Sequence, residues 1–337
     1  MTDRPAQSTM ADVARLAGVS AMTVSRALRP DSAIAADTRA RIFRIIEEIG
    51  YVPDMTAGGL SSRKSGFIAA LVPTINNSNF ADTARGLTEV LSAAGLQLLL
   101  GYTDYSLERE EALIEAMLRR RPEGVMLTGG THTERTRRLL KNAHIPVVET
   151  WDLPAEPINH VVGFSNAEAT NAMVHHLHQR GYREIGFIGG GSTADTRGSD
   201  RLLGYVAAID ALKLPTGRVI TYGLPPISIE HGGEALTMLI SAWPNVDAVV
   251  CVSDLSAFGA LSECHRRGLK VPQQIAIAGF GDFDLSRWCW PKLTTVAVDC
   301  MGIGHRTGEI LLEALKTPSA APRMEHLPFS IVQRETS

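Results

Sequence analysis

The chain has 337 residues, of which 45% are hydrophobic and 20% charged, with a formal net charge of −3. That is enough apolar material for a large core spread over two or three folding units, and the balance carries no global signature of nucleic-acid binding. No apolar run approaches the roughly 20 residues that span a bilayer, and the opening MTDRPAQSTM has neither an apolar stretch nor a cleavage pattern, so the sequence predicts a cytoplasmic protein with no signal peptide.

The first sixty-six residues hold nine Lys/Arg against seven Asp/Glu, a slight basic excess over the remainder. TMADVARLAGVSAMTVSRAL reads as two short helices around a tight turn. Thr9 is a plausible N-cap, and Val13, Leu16 and Ala17 recur on one face. Gly18 can take the left-handed conformation that ends a helix, and Ser20 can cap the next one. Ala14, Gly18 and Val24 give the Ala-x3-Gly-x5-Val packing pattern of a helix-turn-helix. A third helix is expected from Asp37 or Thr38, with Ile42, Ile45, Ile46 and Ile49 inward, Gly50 as its stop and Pro53 beyond. The outward face of the second helix carries Ala21, Met22, Thr23, Ser25 and Arg26. Small, polar and basic side chains there suit a major groove better than a protein interface, with Arg26 and Arg29 available to phosphates. The stretch DMTAGGLSS follows, with Met55, Ala57 and Leu60 on one helical face. Gly58 and Gly59 weaken any helix there by roughly 1 kcal/mol each, which predicts a segment that is marginal alone.

From residue 66 strand-like and helix-like segments alternate. FIAALVP, LQLLLGY, EGVMLT, IPVVET, HVVGF, EIGFIGG, DAVVCV and IAIAGF read as strands. Helical spacing covers 80–94, 107–119, 133–143, 166–180, 199–212, 230–242 and 255–267. Repeated βα units in two sets predict two α/β lobes with parallel sheets and a ligand cleft at the carboxyl ends of the strands. Enzyme signals are thin. GFIGGGS lacks G-x-G-x-x-G spacing, and no P-loop, nucleophile elbow or H-E-x-x-H motif occurs. His175 and His178 have no neighbouring Cys or acidic pair in sequence and read as a solvated helix face. The four cysteines (251, 264, 289 and 300) lack CxxC spacing, which predicts reduced thiols. No catalytic residue, metal or cofactor is expected.

MADVARLAGVSAMTVSRALRP, then TRARIFRIIEEIGYVPD and a hinge ending in Leu60, resembles the DNA-binding headpiece of lactose-repressor-family transcription regulators, and the resemblance continues over essentially the whole chain. It implies an all-α helix-turn-helix headpiece (1–50), a hinge helix (51–65) and a two-lobed α/β effector-binding and dimerisation domain of periplasmic-binding-protein type (66–337). The DNA-contacting set is then Ser20, Ala21, Met22, Thr23, Ser25, Arg26 and Arg29, with Leu60 as a minor-groove wedge. In the cleft it implies Asn79 and Phe80, Arg201 from the DRLLGY stretch, and Ser253 and Asp254 at a strand end. Asn79 and Asp254 also fit helix N-caps, and Arg201 a surface salt bridge.

Two departures from the common family pattern stand out. Gly281 occupies the position where many relatives have a sugar-binding aspartate, with Asp282 shifted on, and IPVVETWD adds Glu149 and moves Asp152 one place later. Together with LTGGTHTERT, which contributes Thr131 and His132, these features are similar to the gluconate repressors of the family. They imply a homodimer, or a higher oligomer, that binds double-stranded operator DNA and a small carbohydrate-acid effector, gluconate first. Other effectors (2-ketogluconate, 6-phosphogluconate or a neutral sugar) stay open, as do a sugar-acid enzyme and a transport binding protein.

Overall fold

The computed structural model describes residues 8–28, 32–52, 65–190, 195–319 and 321–337. It divides into two compact units, residues 1–65 and 66–337.

In the first unit, α1 (Met10–Ala17), α2 (Ala21–Ala27) and α3 (Ala36–Ile49) form a small helical cluster. Thr9 caps α1 in a reciprocal box with Asp12. Gly18 has φ +64°, and the next amide, of Val19, reaches back to the Ala14 carbonyl at 3.0 Å. This left-handed turn is cheap only for glycine and fixes the angle between α1 and α2. Ser20 caps α2 by accepting from the Thr23 amide. Val13, Ala14, Ala17, Val24, Ala27, Ile42 and Tyr51 form the buried core. Leu16, expected inward, is 49% exposed, and the small Ala14 lies in the core with Val13 and Ala17. Helix α3 starts one residue before Asp37, without a side-chain cap. Asp37 therefore lies in the first turn, where its charge complements the helix dipole.

The second unit carries two six-stranded sheets. Lobe one contains β1 (Phe67–Val72), α4 (Ser78–Ala93), β2 (Gln97–Tyr102), α5 (Leu107–Leu118), β3 (Val125–Thr128), α6 (Glu134–Ala143), β4 (Val147–Thr150) and β5 (His160–Gly163). Lobe two continues with α7 (Asn166–Gln179), β6 (Ile185–Gly189), α8 (Thr196–Ala211), β7 (Val219–Thr221), α9 (Ile229–Ala242), β8 (Ala248–Cys251), α10 (Asp254–Arg266), β9 (Ala276–Phe280), a 3-10 turn (Asp284–Arg287) and β10 (Thr294–Val298). The chain then returns to lobe one with α11 (Cys300–Lys316), which packs on α4, and β11 (Met324–His326). It ends in lobe two with β12 (Phe329–Val332).

The strand orders are β2-β1-β3-β4-β5-β11 and β7-β6-β8-β9-β10-β12. All pairings are parallel except β12 against β10. The central strands are apolar on both faces because helices cover both. In β1, Ile68, Ala70 and Val72 face one helical layer, while Ala69 and Leu71 face the other with Ile114, Met117 and Leu140. Gly204, in the DRLLGY stretch, lies where α7 and α8 cross; a Cβ there would fall 2.0 Å from the Ala167 carbonyl oxygen. Only glycine allows that approach.

Candidate effector cleft and DNA-binding face

In each sheet the strand order reverses beside the first strand, at β1/β3 in lobe one and β6/β8 in lobe two. Open α/β sheets bind ligands in the crevice at that switch point, outside the carboxyl ends of the strands. Here the two crevices face each other across one cleft of about 840 Å³ including its mouth. This falls within the range of small-molecule sites.

Aromatic rings run through the base of the cleft from one lobe to the other. Phe80 meets Trp151 edge-on at 5.2 Å, Trp151 meets Phe164 at 5.9 Å, and Phe164 stacks on Phe280 at 6.1 Å. The Trp151 indole N–H donates to Thr83 Oγ1 at 3.2 Å, which fixes the ring. Above Phe280, 3.6 Å from its centroid, lies the Arg201 guanidinium. Its Nε donates to Asn166 Oδ1 at 2.9 Å and its Nη1 to the Val252 carbonyl at 2.7 Å. Asn166 in turn donates to the Trp151 carbonyl at 3.0 Å, so the arginine, the amide and the aromatic base position one another. Burial pulls the Arg201 pKa down to about 10, with Asp195 opposing and Arg197 adding to the fall; it remains a cation at neutral pH. Among the described residues no carboxylate lies within ion-pair distance of Arg201. Arg197, one helical turn earlier, is paired with Asp195 at 3.1 Å. A half-buried cation with no carboxylate partner among the described residues, held in fixed orientation over an aromatic ring, is a ready site for a carboxylate.

Asn79, Phe80, Arg201 and Ser253 all line this cleft. Two of them also hold structure. Asn79 Nδ2 donates to the Gly281 carbonyl across the lobes at 3.0 Å, and the cap of α4 is Asn77. Ser253 is the N-cap of α10, a role the sequence also left open for Asp254. Asp152 is buried behind the cleft wall, where its Oδ2 accepts from Thr196 Oγ1 at 2.9 Å. Thr131 donates to the same Thr196 oxygen at 3.2 Å and faces a smaller adjoining hollow.

Besides Thr131 and Asp152, four expected residues are not brought to the main cleft. Asp254 is fully buried and accepts from Ser286 Oγ, Thr295 Oγ1 and the Phe283 amide at 2.6, 2.6 and 2.8 Å. Burial pushes its carboxyl up against the pull of those hydrogen bonds, and its work is to hold the β9 loop. Asp282 is turned toward Arg334 and Arg287, at 2.5 and 3.1 Å. His132 and Glu149 are buried inside lobe one. His132 Nδ1 pairs with Glu110 Oε1 at 2.7 Å. Its Nε2 faces Glu149 Oε1 at 3.4 Å without hydrogen-bond alignment. Glu149 Oε2 accepts from the Ile158 amide at 2.5 Å. Thr133, next in that loop, is the N-cap of α6.

Sequence reasoning missed Tyr105, Trp151, Asp195, Phe280 and Phe283 in the wall. The R-x-x-x-R spacing of Arg197 and Arg201 places both on one face of α8 and was the available signal. Tyr105 and Trp151 sit on loops with no periodicity to mark them.

In the first unit Ser20, Ala21, Met22 and Arg26 are exposed on α2, while Thr23 and Ser25 are half-buried. Met22 is 66% exposed. Arg29 and Leu60, with the rest of the hinge from 53 to 64, lie outside the described residues. Among the described residues no group of His, Cys, Asp or Glu is arranged to hold a metal, and no helix is long and apolar enough to cross a membrane.

Residues 9–54 match the family model of bacterial regulatory proteins of the lacI family, and residues 174–337 match that of a periplasmic binding protein-like domain. The HTH-type transcriptional regulator GntR of Escherichia coli (strain K12) is 35% identical, over 95% of this chain and 96% of its own. The regulator of the same name from Pseudomonas aeruginosa is 36% identical, over 100% of this chain and 96% of its own. A solved lacI-family transcriptional regulator from Silicibacter pomeroyi superposes with a TM-score of 0.90 at 32% identity, covering 98% of this chain and 99% of that one. With a helix-turn-helix unit, a two-lobed α/β unit and full-length relatives of this identity, the chain belongs to the lactose-repressor family of bacterial transcription regulators.

Proposed function

We propose that the protein is a cytoplasmic, homodimeric repressor whose operator affinity is set by a sugar acid, gluconate or a close aldonate. The observation that carries this reading is Arg201: half-buried, cationic, and without a carboxylate partner among the described residues of the cleft. A monoanion supplies that partner. Arg197 already has Asp195, so a doubly charged phosphate ester is less well matched. The amides of Asn76, Asn77 and Asn79 line the same cleft and suit hydroxyls. Ser20, Ala21, Met22, Thr23, Ser25 and Arg26 form the groove-facing set, with Arg29 and Leu60 as further contacts. The chemistry is binding and release, with no reaction required.

Calorimetry on the full chain tests the sugar-acid reading. Gluconate is expected to bind about 10- to 100-fold more tightly than glucose, because a hydrogen bond to a charged group contributes roughly 1.5–3 kcal/mol. Equal binding of glucose would remove the case for a sugar acid.

A further inference from the structure

A second hollow, about 340 Å³ including its mouth, adjoins the main cleft. Its wall is rich in hydroxyls, from Thr103, Ser106, Thr128, Thr131 and Thr196. Three residues line both spaces: Tyr105, Asp195 and Arg197. Asp195 and Arg197 come from lobe two and are locked to each other as an ion pair. Tyr105 comes from lobe one, in the loop after β2, and its ring lies 5.6 Å from the Arg197 guanidinium, within cation–π range.

The backbone shows that this position is imposed. Asp104 and Tyr105 have φ of +54° and +58°, two consecutive non-glycine residues in the left-handed region. Such conformations persist only where surrounding structure enforces them. The enforcing bonds are to the β1 end: the Thr103 amide donates to the Val72 carbonyl at 2.9 Å and the Asp104 amide to the Pro73 carbonyl at 2.8 Å. A third bond, from the Ser106 amide to the Thr103 carbonyl at 3.1 Å, closes the turn. The loop is thus tied to the strand that forms the switch point, and it places a phenol ring on the wall that the two hollows share.

We propose that Tyr105 is a specificity-determining partition that sets the length of the ligand. With the ring in place, the main cleft takes one sugar-acid unit anchored at Arg201. Without it, the two hollows join, and the hydroxyl-lined one can receive a second sugar. The ligand class that reads this out is the aldobionates, in which a hexose is joined to an aldonate. The inference rests on the sugar-acid reading of the cleft.

The test is calorimetry of the full chain with gluconate and with lactobionate, a galactosyl-gluconate. The wild type is expected to favour gluconate by more than about 100-fold, Tyr105→Ala to narrow that ratio to about 10-fold or less, and Tyr105→Phe, which keeps the ring, to discriminate like the wild type. A Tyr105→Ala variant that binds gluconate yet still rejects lactobionate overturns the partition alone. So does a wild type that binds both acids equally, a result that needs no variant to fold. A wild type that binds neither overturns the sugar-acid reading, and the partition with it.

Discussion

Replacing Arg201 with alanine should weaken sugar-acid binding by about 2–4 kcal/mol, roughly 30- to 1,000-fold. The size follows from the surroundings of the side chain. Its guanidinium is half-buried, stacked 3.6 Å over Phe280 and pinned by Asn166 and Val252, so little rotamer freedom is lost when the ligand arrives. Arg201→Lys should recover only part of the loss. An ammonium restores the charge but cannot bond Asn166 and Val252 together while presenting a planar fork to a carboxylate. Calorimetry of wild type, Arg201→Lys and Arg201→Ala checks the order, with thermal unfolding to show that each variant is folded. Normal gluconate affinity in Arg201→Ala would mean that the carboxylate docks elsewhere.

Removing His132 should destabilise the effector domain by about 3–5 kcal/mol, as breaking a buried charge set by deleting one member does. His132 connects three elements of lobe one: α5 through Glu110, its own loop before α6, and β4 through Glu149. Alanine would leave two buried carboxylates facing one another with no cation between them. The same group gives an alkaline signature. Burial works to lower the His132 pKa, but the bond to Glu110 and the charge of Glu149 more than offset it and raise the value to about 9. The folded value lies above the unfolded value of about 6.5. The stabilisation is therefore complete below about pH 6.5, declines above it, and is gone once pH passes about 9. Chemical denaturation between pH 6 and 10 should show this slope in the wild type and a shallower one in His132→Ala. Identical slopes would show that His132 is not the group responsible.

The contrast between Arg201 and His132 marks what was legible in the sequence. Apolar runs and 3.6-residue spacing exposed most of the central strands and helices, since parallel strands covered on both faces are apolar throughout. The short strands β7, β11 and β12, with three to four residues each, carry too few residues for a period. Helix α8 begins at Thr196, three residues earlier than its apolar spacing suggested, because its first turn faces the cleft and not the core. Arg201 was readable from the motif around it, and Gly204 in that motif is explained by the α7–α8 crossing. Carboxylates were harder to read. Glu149, Asp254 and Asp282 look like polyol ligands in sequence, but each is turned to other partners: Glu149 to the Ile158 amide and the His132 ring, Asp254 to Ser286 and Thr295, Asp282 to Arg287 and Arg334. Only tertiary structure reveals which groups a polar side chain already faces.

The central claim is that one chain couples a sugar acid to operator binding, and reciprocal linkage tests it most directly. A duplex selected from random sequence by the full chain, labelled and followed by fluorescence anisotropy, gives DNA affinity with and without saturating gluconate. Calorimetry gives gluconate affinity with and without that duplex. Gluconate is expected to change DNA affinity by about 5- to 150-fold, in either direction, and the duplex to change gluconate affinity by the same factor. DNA affinity that is the same at zero and saturating gluconate would contradict the account, however tightly each ligand binds alone.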